Sequence, residues 1–326
     1  MILTVTANPT IDRVLFVRDF AMQDLVRAER EVISPSGKGI DVALVLHALA
    51  APTLAISLNA GFTGQMLEAL VAEQKLPSVF IPARGWTRQT VLITDVTQHR
   101  QSTILAPTLN AGPEHLDALH RAVETHAAGA WGLVCAGSLP PGLPRHAFAD
   151  LLALGRDRGL ITLLDSSGPG LVQGVAGLPH ILKINGRELA ELAAAQALEL
   201  PAWQAPDTLG NLAAFLAARL GAWATETVIV TFGAQGALLV TADVALYAPA
   251  VPIPVVSPAG AGDALAAGVM LARFRGQGWP DALRQGVAAA AAVVANEGTA
   301  VCRADQVAAL LRAVTLHPLS VRVAPD

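Results

Sequence analysis

Cysteine pairs, long apolar runs and a secretion signal are the first features that this sequence lacks. Its two cysteines, Cys135 and Cys302, lie too far apart for a metal-binding motif and are too few for a disulfide framework. The longest uninterrupted apolar run, residues 287–295, is far short of the roughly 20 residues that a membrane-spanning helix needs. The first residues, MILTVTANPTIDR, show no basic segment followed by an apolar stretch and a cleavage site. We therefore expect a cytoplasmic protein with no membrane partner.

Charged and aromatic side chains are also scarce. Only 15% of the 326 residues are charged, and the net charge of −4 offers no basic surface for nucleic acid. We expect a small molecule as the partner and no nucleic acid, and a few placed cations must hold any anionic ligand. Aromatic residues make up 4% of the chain, whereas alanine, leucine and valine dominate. This composition favours helices packed on buried parallel strands over an aromatic-rich β-sandwich.

Apolar runs typical of buried strands alternate with helical patterns along most of the chain. The strand-like runs are ILTVTA, WGLVCAG, LITLLDSS, ILKIN and TVIVTFG. This alternation predicts an α/β fold with a doubly wound, mainly parallel sheet flanked by helices. Two segments, at about 11–36 and 86–109, contain strand patterns with polar turns and no convincing helix, so we expect them to form a small separate sheet. Near the end of the chain, the pattern predicts two helices at 259–273 and 281–295.

The segment SPAGAGDALAAG, residues 257–268, places two glycines and an aspartate where a helix is predicted to begin. Gly260 and Gly262 allow close backbone approach, and the free N–H groups at a helix start attract anions. Asp263 beside such a site can be a general base for phosphoryl transfer, or an acidic residue that caps a helix after a glycine turn. Both readings are open on this motif alone. Leu265 replaces the third glycine of a dinucleotide fingerprint and no Gly-Lys-Ser/Thr follows, so neither an NAD site nor a Walker A loop is expected.

A second glycine cluster contains one of the three lysines in the chain. In SGKGI, Gly37 and Gly39 flank Lys38 ahead of a predicted helix, so the lysine and the backbone N–H groups can bind the phosphate or hydroxyls of a substrate. A flexible surface turn with an incidental lysine is the alternative. Arg27 and Arg88 fall in the two strand-rich segments, where they are either solvated or, in a lid over the sheet, close to Lys38.

Nine motifs, taken together and in order, resemble the PfkB branch of the ribokinase superfamily, and within it the hexose-phosphate kinases. They are TANPTIDR, SGKGIDVA, WTRQ, AGSLPPG, LDSSG, KINGRE, TFGAQGA, AGAGDALAAG and NEGTAVC, and they span nearly the whole chain. WTRQ, LDSSG and NEGTAVC look most like the minor 6-phosphofructokinases, whereas TANPTIDR and GKGI look more like 1-phosphofructokinases and tagatose-6-phosphate kinases. The resemblance implies a single ribokinase-like α/β domain, residues 1–326, in which the segments at about 11–36 and 86–109 form a β-sheet lid.

The same resemblance implies an enzyme that uses ATP and Mg²⁺ to phosphorylate a ketohexose phosphate: fructose 1-phosphate, fructose 6-phosphate or tagatose 6-phosphate. Such an enzyme is a phosphotransferase with an alcohol group as acceptor, and its product is a bisphosphate. The family often uses the lid for dimerisation, so a homodimer through the lid is expected. Two alternatives stay open: a kinase-derived sugar-phosphate sensor without turnover, and a kinase of an unphosphorylated sugar or nucleoside.

The resemblance also implies roles for individual residues. Asp263 is expected to be the catalytic base, and the backbone of Gly260, Ala261 and Gly262 the anion hole. The residues expected to line the sugar site are Asp12, Gly37, Lys38, Gly39 and Asp41. The phosphate already on the substrate is expected to be held by Arg27 and Arg88. The residues expected to bind ATP are Lys183, Asn185, Glu188, Thr231, Gly233, Gly236 and Asn296. Of these, Asn185 and Glu188 are expected to organise Mg²⁺ and the ATP phosphates, with Glu188 acting on the metal indirectly.

Three positions depart from the family pattern. Asp41 stands where asparagine is usual, so a carboxylate that only accepts hydrogen bonds replaces an amide that can also donate, and negative charge is added near the substrate phosphate. Pro258 replaces the usual threonine or serine and removes a hydroxyl and an N–H on the nucleotide side. Ile184 replaces a proline, a change that we expect to be tolerated because Asn185 and Glu188 remain. Asp41 and Pro258 favour the sensor alternative, whereas the intact Asp263, Asn185 and Glu188 argue for an enzyme.

Overall fold

The structure, a computed structural model, describes residues 1–22, 24–98, 100–203 and 208–319, and its strands form two separate sheets. The strands are β1 (Ile2–Thr6), β2 (Thr10–Val17), β3 (Arg30–Ser36), β4 (Thr53–Asn59), β5 (Ser78–Pro82), β6 (Arg88–Asp95), β7 (Arg100–Leu105), β8 (Gly132–Ala136), β9 (Ile161–Asp165), β10 (Ile181–Asn185), β11 (Thr227–Thr231), β12 (Ala237–Val240), β13 (Ala245–Ala248) and β14 (His317–Leu319). The helices are α1 (Lys38–Ala48), α2 (Gly61–Glu73), α3 (Pro113–Ala127), α4 (Ala147–Asp157), α5 (Pro169–Gly174), α6 (Gly186–Ala195), α7 (Leu209–Ala217), α8 (Ala261–Phe274), α9 (Trp279–Val294) and α10 (Ala304–Leu310). Residues 320–326 of the predicted domain lie outside the described ranges, as do Gln23 and His99 of the two strand-rich segments.

The larger sheet has the strand order β14-β13-β12-β11-β10-β9-β8-β1-β4-β5. The seven strands from β11 to β5 in this order are all parallel, and β12, β13 and β14 add an antiparallel edge. The chain starts at β1 and winds outward from it in both directions, first to β4 and β5 and later to β8 and beyond, which is the doubly wound arrangement. The predicted α/β fold with a mainly parallel sheet is confirmed.

Helices pack on both faces of this sheet, so its parallel strands are buried on both sides. Ile2 and Val134 face one apolar layer, which they share with α1, α8 and α9. Leu3 and Leu133 face the other layer, which they share with α3, α4 and α6. Alternate residues of a strand point to opposite faces, so strands in such a sheet must be apolar throughout, as ILTVT and GLVCA nearly are. None of the helices within the described ranges is both long and apolar enough to cross a bilayer.

The two helices predicted near the end of the chain form as α8 and α9 and pack against each other. Gly276 follows the C-cap of α8 with a φ of +74°, which lets the chain turn back after the helix. Pro280 lies in the first turn of α9, where its missing N–H costs no helical hydrogen bond.

The smaller sheet has the strand order β3-β2-β6-β7. The strands come from the two strand-rich segments, each of which supplies one antiparallel pair, and β2 joins β6 in parallel. Thr10 lies opposite Arg88, and Asp12 lies opposite Thr90, so these four polar side chains share one face of the sheet. The sheet thus presents a polar face made of residues far apart in the sequence.

Candidate active site

The first turn of α8 is the centre of the candidate site. Gly260 caps the helix with a φ of +79°, which glycine adopts without strain, and a Cβ there would lie 2.8 Å from the Ala300 nitrogen. The N–H groups at a helix start have no partner within the helix, so they are available to an anion. The Lys183 ammonium lies against this turn, 2.7 Å from the place of a Cβ on Gly262. Backbone N–H groups and a lysine charge are therefore brought together at one place.

Asp263, the third residue of α8, is only 8% exposed. Burial, together with repulsion from Asp165, raises the pKa of Asp263 to about 7, although Lys38 and Lys183 act in the opposite direction. A carboxyl group with a pKa near neutrality can accept a proton and return it during a reaction. Asp263 therefore has the properties of a general base at the rim of an anion site.

A buried carboxylate, Asp165, links two lysines close to this turn. Asp165 ends β9 and is fully buried, and its two oxygens accept hydrogen bonds from Lys38 Nζ and Lys183 Nζ, both at 2.7 Å. Burial acts to raise the pKa of Asp165, but the two ammonium groups outweigh burial and lower the pKa below its ordinary value. Asp165 lies in the LDSSG motif, but the motif alone predicts no role for this residue. The feature of the sequence that could have identified Asp165 is its position as a charged residue at the end of an otherwise apolar, buried strand.

Asn185 and Glu188 hold each other in a capping box at the start of α6. Asn185 Oδ1 accepts hydrogen bonds from the N–H groups of Arg187 and Glu188, both at 2.9 Å, and Glu188 Oε2 accepts one from the Asn185 N–H at 2.8 Å. Glu188 Oε1 also accepts a hydrogen bond from Lys38 Nζ at 2.9 Å. Both side chains are therefore fixed at the carboxyl end of β10, and Lys38 connects them to Asp165.

The donor set around Glu188 suits a metal ion that arrives with a phosphate ligand. No group of three or more His, Cys, Asp or Glu side chains that could hold a metal occurs within the described ranges. Mg²⁺ usually keeps several waters and is bound through one or two carboxylates together with substrate phosphates. Because Lys38 and the Asn185 N–H already engage the Glu188 oxygens, Glu188 fits contact with Mg²⁺ through water.

A cavity of about 370 Å³ lies between the polar face of the small sheet and the starts of α1 and α8. Its lining includes five of the seven residues predicted to bind the substrate, namely Asp12, Gly37, Lys38, Asp41 and Arg88. The parallel pairing of β2 with β6 and the start of α1 bring these residues together from three parts of the chain. We call this space the lid cavity.

Two residues predicted for the substrate do not line the lid cavity. Gly39 packs against β1, where a Cβ would lie 2.4 Å from Thr6 Oγ1, so this glycine serves close contact between helix and strand. Arg27 is exposed in the segment between β2 and β3. The roles that the resemblance implies for these two residues therefore stay predictions.

Asp12 and Arg88 supply opposite charges to the lid cavity. Burial raises the pKa of Asp12, opposed by a hydrogen bond of 2.7 Å from Thr299 Oγ1 and by the Arg88 charge. Burial lowers the pKa of Arg88. The Arg88 guanidinium donates one long hydrogen bond of 3.5 Å to the Asn8 carbonyl, and its buried Nε has no hydrogen-bond partner among the described residues. Arg88 therefore has donors available for an anionic ligand.

A second cavity, of about 480 Å³, lies on the other side of the start of α8 and has largely apolar walls. Thr231, Gly233 and Gly236, which are predicted to border a nucleotide, all line it. Asn296 is not among its lining residues, and its amide donates hydrogen bonds to the Ala292 carbonyl at 2.7 Å and to Gln306 Oε1 at 2.8 Å. Asn296 therefore fastens α9 to α10.

The two cavities meet at the start of α8, since Pro258 lines both of them. Ala261 and Gly262 also line the apolar cavity, so the anion-binding turn faces it. A group transferred from a ligand in the apolar cavity to a ligand in the lid cavity would pass this turn, which Asp263 directly follows in the chain. The arrangement suits the transfer of an anionic group to a hydroxyl.

Comparisons with known proteins agree with this chemistry. The family model described as "pfkB family carbohydrate kinase" matches residues 3–306. The chain is 32% identical over 310 residues to the ATP-dependent 6-phosphofructokinase isozyme 2 of Mycobacterium tuberculosis, covering 94% of this chain and 87% of that protein. It is 33% identical over 328 residues to the 1-phosphofructokinase of Rhodobacter capsulatus, covering 98% of both. Among solved structures, the tetrameric inhibited form of phosphofructokinase-2 from Escherichia coli superposes with a TM-score of 0.82 at 26% identity, covering 95% of this chain and 98% of the other.

Proposed function

The chain belongs to the pfkB family of carbohydrate kinases, and we propose that it transfers a phosphoryl group from ATP to a hydroxyl of a ketohexose phosphate, giving a bisphosphate. Fructose 1-phosphate, fructose 6-phosphate and tagatose 6-phosphate are the candidate substrates. The observation that supports this function most strongly is the buried Asp263 at the helix start where the lid cavity and the apolar cavity meet. The protein is thus a phosphotransferase with a sugar hydroxyl as acceptor.

In the proposed mechanism, Asp263 accepts the proton of the attacking hydroxyl. The N–H groups of residues 260–262 and the Lys183 ammonium stabilise the charge on the oxygens of the phosphoryl group in transit. Lys38, held between Asp165 and Glu188, adds positive charge between the two cavities. Glu188 and Asn185 would hold Mg²⁺ through water, and the bound ion would further neutralise the charge of the ATP phosphates.

The sugar phosphate occupies the lid cavity in this proposal, and ATP occupies the apolar cavity. Asp12 and Asp41 contact the sugar, and Arg88 binds the phosphate already present on it. The small sheet acts as the lid over the substrate. Thr231, Gly233 and Gly236 border the nucleotide, whereas Arg27, Gly39 and Asn296 have no assigned contact with a ligand.

A screen for ADP release with free and phosphorylated ketohexoses tests this function. We expect turnover with at least one ketohexose phosphate and little with fructose, tagatose or nucleosides. Sugar-phosphate binding without ADP release across the whole panel would instead establish a sensor. A clear preference for free fructose over its phosphates would establish the unphosphorylated-sugar kinase.

The activity should depend on pH through Asp263. Burial and the neighbouring Asp165 raise the pKa of Asp263 to about 7, and only the ionised carboxylate can accept a proton. Below pH 7, kcat should therefore fall about tenfold per pH unit, and above pH 7 it should level off. Steady-state kinetics with both substrates saturating, on enzyme checked for stability at each pH, measure this profile. A kcat that stays constant between pH 5.5 and 8 would contradict the assignment.

Replacing Arg88 with alanine should weaken sugar-phosphate binding and leave ATP binding unchanged. Hydrogen bonds to a charged group contribute about 1.5–3 kcal/mol, which corresponds to a KM for the sugar phosphate raised roughly 10- to 100-fold. Arg84→Ala is the matched control. Arg84 precedes Arg88 by about four residues in the chain, but it pairs with Glu114 on the surface and does not line the lid cavity. Equal KM values for the sugar phosphate in Arg88→Ala and wild type would show that Arg88 does not bind the phosphate of the substrate.

We also propose that the protein forms a homodimer through the outer face of the small sheet, the face opposite the lid cavity. Its outer face carries five partly exposed apolar side chains, Leu15, Ile33, Val91, Ile93 and Ile104, which is an unusual surface for a monomer. Ile93→Glu should convert the dimer into a monomer in sedimentation velocity, whereas Gln98→Glu, in the exposed turn before β7, should not. A wild-type protein that sediments as a monomer at micromolar concentration would rule out this interface.

A cytoplasmic location is proposed as well. Cys135 and Cys302 are both free thiols, and Cys135 is fully buried. Unpaired cysteines are typical of proteins in a reducing compartment. Their state supports the location expected from the sequence.

A further inference from the structure

Asp41 occupies an unusual position in the lid cavity. It is the fourth residue of α1, it is 3% exposed, and its Oδ2 accepts a hydrogen bond of 3.1 Å from Ser36 Oγ. Its other oxygen, Oδ1, is buried and has no hydrogen-bond partner among the described residues. A buried carboxyl oxygen without a partner is costly, so a ligand in the cavity is the natural partner for Oδ1.

The charges around Asp41 are mostly negative. Asp12 on β2 and Asp263 on α8 both act on it electrostatically, and Arg88 on β6 lines the same cavity. Lys38, on the same helix, already forms ion pairs with Asp165 and Glu188. A third carboxylate would therefore face two others, and it would also repel the phosphate of the proposed substrate.

Among the described residues, the other elements packed on α1 bring no further charge to Asp41. On α2, Glu68 accepts a hydrogen bond from Asn59 and Glu73 is exposed. β1 and β4 contain no titratable side chains, and Cys135 of β8 belongs to the apolar layer on the opposite face of the sheet. β3 contributes Ser36 beside Asp41, and its charged residues, Arg30 and Glu31, are exposed at the other end of the strand. Of the two cations that line the lid cavity, Lys38 is paired with Asp165 and Glu188, and Arg88 is assigned to the phosphate of the substrate, so neither is left to balance a third negative charge.

We propose that Asp41 is a specificity residue that binds the sugar phosphate as a neutral carboxylic acid, with Oδ1 donating a hydrogen bond to a substrate oxygen. This inference rests on the proposed function, because it takes a sugar phosphate as the ligand of the lid cavity. A protonated carboxyl group offers one donor and one acceptor, which is the same pair that an amide offers. The substrate class is therefore a phosphosugar with an acceptor oxygen at Oδ1, and binding weakens when Asp41 loses its proton.

The direction of the pKa shift supports the neutral form. Burial raises the pKa of Asp41 well above its ordinary value, and Asp263 and Asp12 raise it further, while hydrogen bonds from Ser36 and the Gly37 backbone act against them. The start of α1 favours a negative charge as well, but its effect is smaller than that of burial. A raised pKa means that the neutral acid persists at low pH and is lost as the pH rises.

Asp41→Asn is the test, because asparagine has the same shape and cannot ionise. Calorimetry without nucleotide gives the Kd of fructose 1-phosphate, fructose 6-phosphate and tagatose 6-phosphate for both proteins between pH 5.5 and 9.5. The ratio of the wild-type Kd to the variant Kd should lie within threefold of one at pH 5.5 and rise at least tenfold by pH 9.5. Ionisation of the free substrate phosphate is the same in both experiments, so it cancels in the ratio.

The outcomes separate this inference from the proposed function. A ratio that is constant or falls with pH overturns the role of Asp41 whether or not the enzyme turns over. A rising ratio without ADP release supports the role of Asp41 and overturns the kinase. Absence of binding by all three sugar phosphates overturns both.

Ser36→Ala provides a second variant that does not alter the carboxyl group. Loss of the Ser36 hydrogen bond removes an interaction that favours the ionised form, so the fall in affinity should begin at higher pH than in wild type. An onset at lower pH would contradict the proposal. Glu114→Gln, on the surface and outside the cavity, should reproduce the wild-type profile.

Discussion

Replacing Asp263 with asparagine should lower kcat by about 10²–10⁴-fold, the usual contribution of a general base. The amide fills the same space at the third position of α8 but cannot accept a proton from the attacking hydroxyl. The fold should remain intact, because the change removes a buried carboxyl group whose charge is opposed by burial and by Asp165. The residual activity should also lose the dependence on pH near 7 that Asp263 imposes.

The matched control for this variant is Asp281→Asn. Asp281 is likewise the third residue of its helix, α9, but it is exposed and pairs with Arg284 on the surface. Its loss should leave kcat unchanged. Rates of ADP release at saturating substrates, together with thermal unfolding of both variants, make the comparison. An Asp263→Asn enzyme with more than a tenth of wild-type kcat would show that another group accepts the proton.

The second large effect is expected in stability, on replacing Asp165 with asparagine. The fully buried carboxylate accepts hydrogen bonds from Lys38 and Lys183, and Lys183 is only 2% exposed. Removal of the negative partner leaves a buried ammonium uncompensated, which typically costs 3–5 kcal/mol, so the free energy of unfolding should fall by about that amount. Urea unfolding of wild type and variant at pH 7 measures the difference.

An exposed ion pair provides the contrast. Glu114→Gln breaks the surface contact with Arg84, where both side chains are more than half exposed, and the free energy of unfolding should change by less than about 1 kcal/mol. If Asp165→Asn were no more destabilising than Glu114→Gln, the buried network would not be a determinant of stability. The two variants together separate buried charge pairing from the general effect of losing a carboxylate.

Much of the fold follows from the sequence because buried parallel strands must be apolar along their whole length. The prediction for ILKIN agrees with β10 residue for residue, and WGLVCAG contains all of β8. Strand β4, TLAISLN, is not predicted, because its polar residues interrupt the apolar run. In the structure Thr53 donates to the Ile2 carbonyl and Ser57 to the Thr6 carbonyl, both on β1, so these hydroxyls are satisfied inside the sheet. Only the assembled sheet supplies those acceptors.

Part of the candidate site can be predicted from the sequence, because some of its residues lie in turns of defined chemistry. Residues in glycine-rich turns, such as Lys38 and Asp263, could be identified because a helix start after a glycine turn has a defined chemistry. Asp165 could not be assigned without knowing that Lys38 and Lys183 converge on it from two other elements. Arg27 lies in a strand-rich segment and Asn296 in the NEGTAVC motif, and neither residue is among the lining of the two cavities, which only the tertiary structure defines.

The hydrogen bond between Thr299 and Asp12 joins residues 287 positions apart and has a consequence for synthesis of the protein. Asp12 emerges from the ribosome early, but α8 and Thr299 emerge only when most of the chain has been made. At rates of 5–20 residues per second, roughly 15–60 s separate the first and last parts of the site. A nascent chain can thus build much of its sheet while it is still catalytically inert, and phosphoryl transfer starts only after translation is almost complete.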